Sequence, residues 1–406
     1  MLLSESPRLT ATHARILALA FCGWMFDFYD LILYTFLTRP ISAELGLTRM
    51  DHSIALGLSF GATAVGGVAC GLLADRFGRR TVVSWTILLY SAGSILSGLA
   101  GHKEMLFAAR VITGLGVGGE WAAGHALVAE TFPPHLRGRA GALLQTGAPV
   151  GVGLATLVGT LVAPRIGWRL CLQLSGATAV LAFVARIGMP ESDVWLRHRT
   201  QRLGAGIKRL VAGDLSPLFY LALLITTVNG GSYWLTYSWL PEYLRSRGVS
   251  LAGSGKFMAV IVCGEILGYS TYGMVSDRLG RRPAFTTFAI LMAAGLLPLT
   301  LWWQRFAGAP MLLLGAMLLV GFGTGTWSNF GPMLAELFPT AMRNTGMSAI
   351  LNVSRGAQLV CPLVIARLEP RWGLAAGISL AAACALAASG LIWTLPETRA
   401  RVLDAK

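Results

Sequence analysis

The chain has 406 residues, 54% of them apolar and only 13% charged, with a mean hydropathy of +0.62. Ordinary soluble domains carry about 25% charged residues, so a large water-soluble protein is excluded in favour of one that crosses a bilayer many times. The net charge of +14 would fit a nucleic-acid binder, but the cations recur between apolar runs instead of pooling in one patch.

Runs long enough to cross a hydrocarbon core about 30 Å thick are expected at 15–38, 54–74, 81–101, 105–131, 138–163, 168–189, 215–240, 256–276, 283–303, 310–336, 343–366 and 372–395. The reading is an all-α membrane protein of twelve transmembrane helices. Of the 33 lysines and arginines, 19 fall in alternate connections: Arg8 and Arg15, Arg76 to Arg80, Arg137 and Arg139, Arg197 to Arg209, Arg278 to Arg282, Arg343, and Arg399 to Lys406. Positive charge marks the cytoplasmic side, so both termini are expected there, in a cell or inner membrane. The first run carries acids and is too long for a signal-peptide core, so it is expected to stay as a spanning helix. Cys22, Cys70, Cys171, Cys263, Cys361 and Cys384 have no paired spacing, so no metal site or disulfide framework follows.

The chain is internally duplicated. Gly71-Leu-Leu-Ala-Asp75-Arg76-Phe-Gly78-Arg79-Arg80 returns 202 positions later as Gly273-Met-Val-Ser-Asp277-Arg278-Leu-Gly280-Arg281-Arg282. Glu130-Thr-Phe-Pro-Pro-His-Leu-Arg137 returns as Glu336-Leu-Phe-Pro-Thr-Ala-Met-Arg343, and Met189-Pro190-Glu191-Ser192 as Leu395-Pro396-Glu397-Thr398, both by 206. The polar interval 190–214 divides two bundles, 1–189 and 215–406, and is expected to be a cytoplasmic linker. Parallel repeats of this kind hold a substrate near mid-membrane, between two halves that rock about it.

These turns resemble the signature of the major facilitator superfamily, as do Arg110-x-x-x-Gly114 and the Pro-Glu-Ser and Pro-Glu-Thr endings. Asp27-Phe-Tyr-Asp30 and Gly118-Gly119-Glu120-Trp121 resemble motifs of its proton-coupled carboxylate importers, although Phe28 stands where those proteins usually have glycine. The resemblance covers essentially the whole chain. It implies two six-helix bundles, alternating access, and a latch at the duplicated turns.

Ionisable groups at mid-membrane cost at least about 2.5–3.5 kcal/mol each, so they persist only when paired, hydrated or used. Asp27 and Asp30, at i and i+3, share a helix face. They are expected to line the cavity as a close pair whose mutual repulsion favours proton uptake. Arg110 and Glu120, ten residues apart on the fourth helix, need partners elsewhere, Arg110 from Asp27 or Asp30. Together the four form the expected proton-coupling set. His125, on the same helix, is read as a packed residue more readily than as a relay. Arg355, beside Asn352 and Gln358 on the eleventh helix, has a fork suited to a carboxylate, against a structural pairing with Glu265. The importers also commonly carry an arginine in this helix. Asn229, Tyr233, Trp234 and Tyr237 on the seventh could supply hydrogen bonds and an aromatic wall.

The gating set expected at the turns is Asp75, Arg76, Arg79, Arg80, Glu130 and Arg137, with Asp277, Arg278, Arg281, Arg282, Glu336 and Arg343. Asp75 should accept from the eleventh helix's N-terminus and Arg79 or Arg80 should pair with Glu130, with Asp277, Arg281 and Glu336 repeating this towards the fifth helix.

The run Gly114 to Gly119 satisfies G-x-G-x-x-G, but no strand precedes it, so no dinucleotide site is read there. No catalytic constellation, metal set or phosphate loop is evident, so an enzyme and any cofactor are not expected. The leading function is proton-coupled uptake of a small organic acid by a monomer. A sugar or polyol porter, a drug/proton antiporter (Gly147-Ala-Pro149-Val-Gly151 half resembles the antiporter motif), and a non-transporting membrane sensor stand as alternatives.

Overall fold

The structure is a computed structural model, and it describes residues 9–186, 191–197, 205–248, 251–358 and 360–401. Arg8, Met189, Pro190, Arg199, Arg202 and Lys406, cited above, lie outside the described residues.

Helices occupy all twelve expected intervals. They are α1 (Ala11–Leu45), α2 (Arg49–Phe77), α3 (Arg79–Leu99), α4 (Lys103–Thr131), α5 (Pro134–Ile166) and α6 (Trp168–Arg186) in the first half. The second half has α7 (Ser216–Ser246), α8 (Leu251–Leu279), α9 (Arg281–Leu301), α10 (Pro310–Leu337), α11 (343–357 and 360–372) and α12 (374–394). α11 and α12 meet at Gly373, whose φ of 70° breaks the helix. Among the described residues nine helices are long and apolar enough to cross a membrane unaided. The other three are α4, α6 and α11. Glu120, His125 and a run of glycines lower the hydropathy of α4, while Asn352 and Arg355 do so for α11. α6 is described only to Arg186. The polar content of α4 and α11 marks them for work inside the membrane.

Helix boundaries follow local chemistry. α2 starts at Thr48, whose hydroxyl accepts from Asp51 N (3.2 Å) while the Asp51 carboxylate takes Thr48 N–H (2.9 Å), a reciprocal cap that satisfies two end groups. It stops at Gly78, with φ 103°, and α8 stops likewise at Gly280, with φ 109°. Any side chain would be strained there. A Cβ on Gly78 would also sit 2.2 Å from Glu191 Oε2, and one on Gly280 2.9 Å from Glu397 Oε2.

The apolar core shows how the halves meet. From the end bearing the charged turns to mid-membrane, one buried cluster joins Trp24, Trp121, Phe132 and Leu144 of the first half to Phe285, Phe330, Met333 and Met347 of the second. At the opposite end the core divides. Leu33, Tyr34, Leu37, Ala155 and Trp168 form one cluster, and Leu235, Tyr243, Leu296, Leu313 and Met317 form another. The two bundles are therefore welded at one end and separate at the other. Large exposed apolar residues such as Val65, Trp85 and Met311 (65%, 67% and 81% exposed) suit lipid, not water.

α2 packs on α11 and α8 on α5 at the welded end, and Gly71 and Gly273 let the backbones approach. A Cβ on Gly71 would meet Asn344 O at 2.9 Å and Ser348 Cβ at 3.0 Å, and one on Gly273 would meet Gly138 O at 2.6 Å. Gly71→Leu is therefore expected to prop this end open. In a background free of native cysteines, Ser348→Cys should react several-fold faster with a membrane-impermeant maleimide when Gly71→Leu is added. Unchanged labelling would contradict this close-packing role.

Candidate functional site

Three groups of buried polar residues lie on this scaffold, and the first sits at the weld. Asp75, at the end of α2, accepts from the backbone of Asn344 (3.2 Å) and Thr345 (2.9 Å) and from the Thr345 hydroxyl (2.6 Å). A carboxylate thus caps the first turn of α11, where unpaired N–H groups and the helix dipole favour negative charge. Arg79 is 3.3 Å from Asp75 and 3.0 Å from Glu130, and donates to Thr340 O at 2.7 Å. Glu130 also takes Arg343, so one buried acid of the first bundle holds an arginine from each half. In the orientation that satisfies both atoms of its amide, Asn344 accepts from Arg79 Nε at 3.0 Å.

The second copy repeats the arrangement. Asp277 accepts from Gly138 N and Arg139 N, both at 3.0 Å, and Arg281 bridges Asp277 (3.0 Å) and Glu336 (2.9 Å). Arg137 donates to Arg401 O (2.6 Å). The remaining gating candidates stand differently. Arg80 gives its backbone N–H to Glu191, and among the described residues its side chain does not pair with Glu130. Arg76 lies over the Phe77 ring at 5.1 Å, Arg278 is exposed, and Arg282 reaches Leu395 O.

Sequence reasoning missed the roles of Glu191 and Glu397. Glu191 caps α3 by accepting from Arg79 N (3.1 Å) and Arg80 N (3.2 Å), and Glu397 caps α9 through Arg281 N (2.9 Å) and Arg282 N (3.1 Å). Their recurrence after each Arg-Arg turn, 112 residues on in the first half and 116 in the second, was the available signal. Burial pushes the Glu191 carboxyl above its ordinary range. At Glu397 burial acts the same way but is outweighed by backbone N–H donors from Arg281, Arg282, Arg399 and Thr398, which hold it below.

Each hydrogen bond to a charged acceptor contributes about 1.5–3 kcal/mol, so Asp75→Asn is expected to weaken the weld by about that much. Exchange between the two end-states should change about 10- to 150-fold, while the Kd of a bound small molecule stays within about twofold, because Asp75 lies far from mid-membrane. A large loss of binding would refute the latch role.

The second group is inside the first bundle. Asp30 is 3.2 Å from Arg110 and accepts from Ser94 (2.5 Å) and Ser175 (3.4 Å). Arg110 also donates to Ser97 (3.1 Å) and Thr113 (3.0 Å) and lies 5.0 Å over the Tyr34 ring. Asp30 and Asp27 therefore do not form the expected cavity-facing pair. The 60° between i and i+3 turns Asp30 into the polar groups of α3, α4 and α6, and leaves Asp27 towards the other bundle. Glu120 accepts from Thr86 at 3.2 Å. His125 stacks on Trp121 at 4.6 Å, where a Cβ on Gly331 would strike it, and so packs in the weld.

The third group is at mid-membrane, between the bundles. The Arg355 guanidinium lies 5.3 Å over the Trp24 ring, and Asp27 is the charge that acts on it. An arginine of one half thus faces an aspartate and a tryptophan of the other. Asn352 donates to Gly118 O (3.2 Å) across the seam, and Gln358 to Thr227 O (2.9 Å) within the second bundle. Tyr233 and Tyr237 stack at 4.2 Å, with Trp327 edge-on to Tyr233 at 6.0 Å. Trp234 is edge-on to Tyr233 at 5.8 Å, and Asn229 is buried. Glu265 is held by Tyr237 (3.1 Å) and Tyr269 (2.9 Å), not by Arg355.

The chain as a whole matches known proteins. The model of the Major Facilitator Superfamily matches residues 18–271 and 222–406. The sialic acid transporter NanX of Escherichia coli (strain K12) is 28% identical over 362 residues, covering 89% of this chain and 88% of that protein. The niacin transporter NiaP of Acinetobacter baylyi is 26% identical over 386 residues, covering 88% and 87%. In fold, the chain matches a solved structure of the proton:xylose symporter XylE with a TM-score of 0.78, at 19% identity over 97% of this chain and 98% of that one. The two welded helical bundles, the duplicated turns and these matches show that the chain belongs to the Major Facilitator Superfamily and is a multi-pass integral membrane protein that acts as a secondary transporter of small molecules.

Proposed function

We propose that this transporter takes up a small organic acid together with protons. The observation that carries this reading is Arg355, half-buried at mid-membrane over Trp24 and under the influence of Asp27 from the opposite bundle. An anion entering the cleft competes with Asp27 for the guanidinium. A proton on Asp27 removes the competitor, so proton and acid favour each other. The relatives named for sialic acid and niacin, both carboxylic acids, support the substrate class.

In this scheme Asp30, Arg110 and Glu120 complete the coupling network inside the first bundle. Asn352, Gln358, Asn229, Tyr233 and Tyr237 shape the site around Arg355. The carboxylate–arginine turns at Asp75 and Asp277, with their partners, latch the cytoplasmic end. Two bundles, 1–189 and 215–406, rock about the site as a monomer while 190–214 links them on the cytoplasmic face, where both termini lie. With that topology, which rests on the distribution of basic residues, the welded end faces the cytoplasm and the cleft faces outward.

The test is uptake by proteoliposomes of a panel of carboxylates, nicotinate and sialate among them, with and without an inward proton gradient. An acid should accumulate faster with the gradient, and Asp27→Asn should abolish the difference while retaining exchange. Uptake indifferent to the gradient in the unmodified protein would sink the mechanism.

A further inference from the structure

The scheme above leaves Glu265 unused. It stands mid-way along α8, is 4% exposed, and interacts with three phenols: Tyr269 at 2.9 Å, Tyr237 at 3.1 Å, and Tyr233. Two of these are on α7 and one is a turn along α8. α10 packs against this stretch through Leu318, Gly321 and Phe322, none of which can carry charge. α9 presents Met292 near Gly323 of α10, and its own cations, Arg281 and Arg282, stand at the charged-turn end. Arg139 of α5 meets α8 there too, at Asp277, about 18 Å along the helix from Glu265. Among the described residues, then, no cation faces this carboxyl.

A lone carboxylate at mid-membrane needs a proton, or an ensemble of donors that lets it exist briefly without one. The phenols supply that ensemble, because each hydroxyl can both donate and accept. With Glu265 ionised, its oxygens accept from the tyrosines. With it protonated, its O–H donates to a phenol oxygen, and that phenol's own hydrogen turns elsewhere. Tyr237 has the Thr324 hydroxyl beside it for this exchange. Tyr233 and Tyr237 are half-buried, and Trp327, also half-buried, lies against Tyr233, so the cluster has a polar face short of full enclosure.

We propose that Glu265 is a second proton-binding site of this transporter, located in the C-terminal bundle and loaded past Tyr233 and Tyr237. A hydronium ion in the cleft gives its proton to a Glu265 oxygen and leaves as water, and the reverse step discharges it. The site is separate from Asp27 and from the Asp30–Arg110 pair, and it deepens the proton-coupled reading above.

Infrared difference spectra of the purified full chain, taken without substrate as pH is raised from about 5 to 9, test it directly. The wild type should lose a protonated-carboxyl carbonyl band across that range, Glu265→Gln should lack the titrating band, and Asp27→Asn should keep it. Glu265→Asp should keep a titrating band at a shifted frequency, which serves if the glutamine variant does not fold. An identical titrating band in wild type and Glu265→Gln, or none in the wild type, overturns the proposal. Failure of nicotinate and sialate uptake to respond to a proton gradient would defeat the transport mechanism but leave this band as the measure of Glu265.

Discussion

Arg355→Ala is expected to weaken binding of a transported carboxylate about 10- to 150-fold, the equivalent of about 1.5–3 kcal/mol for a hydrogen bond to a charged group. The guanidinium presents two parallel donors to an acid, and its flat face already rests on Trp24, so little ordering remains when the anion arrives. Arg355→Lys keeps the charge but loses the fork and the stacking, and should fall between wild type and alanine. The measurement is calorimetric or fluorescence binding in detergent, followed by uptake. Because Asp27 acts on Arg355, the two residues should couple: the penalty of Arg355→Ala should differ measurably in an Asp27→Asn background. Full affinity in Arg355→Ala would move the anion site elsewhere and reopen the sugar-porter reading, which needs no guanidinium.

Asp30→Asn should cost stability more than it alters recognition. Asp30 and Arg110 are both at most 2% exposed and 3.2 Å apart. Asparagine can still accept from Ser94, but it leaves the guanidinium without a counter-charge among Ser97, Thr113 and the Tyr34 ring. Removing one partner of a buried pair typically costs about 3–5 kcal/mol, enough to lower the unfolding temperature in detergent clearly. Asp30→Asn combined with Arg110→Gln should recover part of that loss, since neither charge is then stranded. An Asp30→Asn protein as heat-stable as the wild type would mean that water or another acid reaches Arg110.

Much of the fold and the gate was legible in the sequence because both depend on short-range, repeated chemistry. Hydropathy located the spans, and the return of Asp-Arg-x-Gly-Arg-Arg 202 positions on exposed the duplication. Within the gate, Glu130 was readable as a partner of the arginine turn, but its sharing between Arg79 and Arg343 was not, because that requires the two halves in contact. The mid-membrane acids were harder. Helical spacing places Asp27 and Asp30 on neighbouring faces but does not say that Ser94, Ser175 and Arg110 from three other helices converge on one of them. Tyr269, one turn from Glu265, was visible in the sequence, whereas Tyr237, 28 residues away, was not. Glu191 and Glu397 escaped for a similar reason. A carboxylate that caps a helix begun more than a hundred residues earlier leaves no local trace beyond the repeat itself.

The receiving side of each latch has a consequence for how such a protein can change. Asp75 and Asp277 end mainly on main-chain N–H groups of the opposite bundle, those of Asn344, Thr345, Gly138 and Arg139. Peptide groups are present whatever the side chain, provided it is not proline. The main-chain part of each contact is therefore indifferent to the side chain beside it, while the strict demands fall on the two aspartates, on the Thr345 hydroxyl and on the glycines that let the backbones meet. Arg139 can therefore vary without losing its main-chain bond to Asp277, whereas a Cβ on Gly138 would sit 2.1 Å from Asp277 Oδ1 and Arg343 is tied to Glu130, so drift in these first turns is confined to the positions between them.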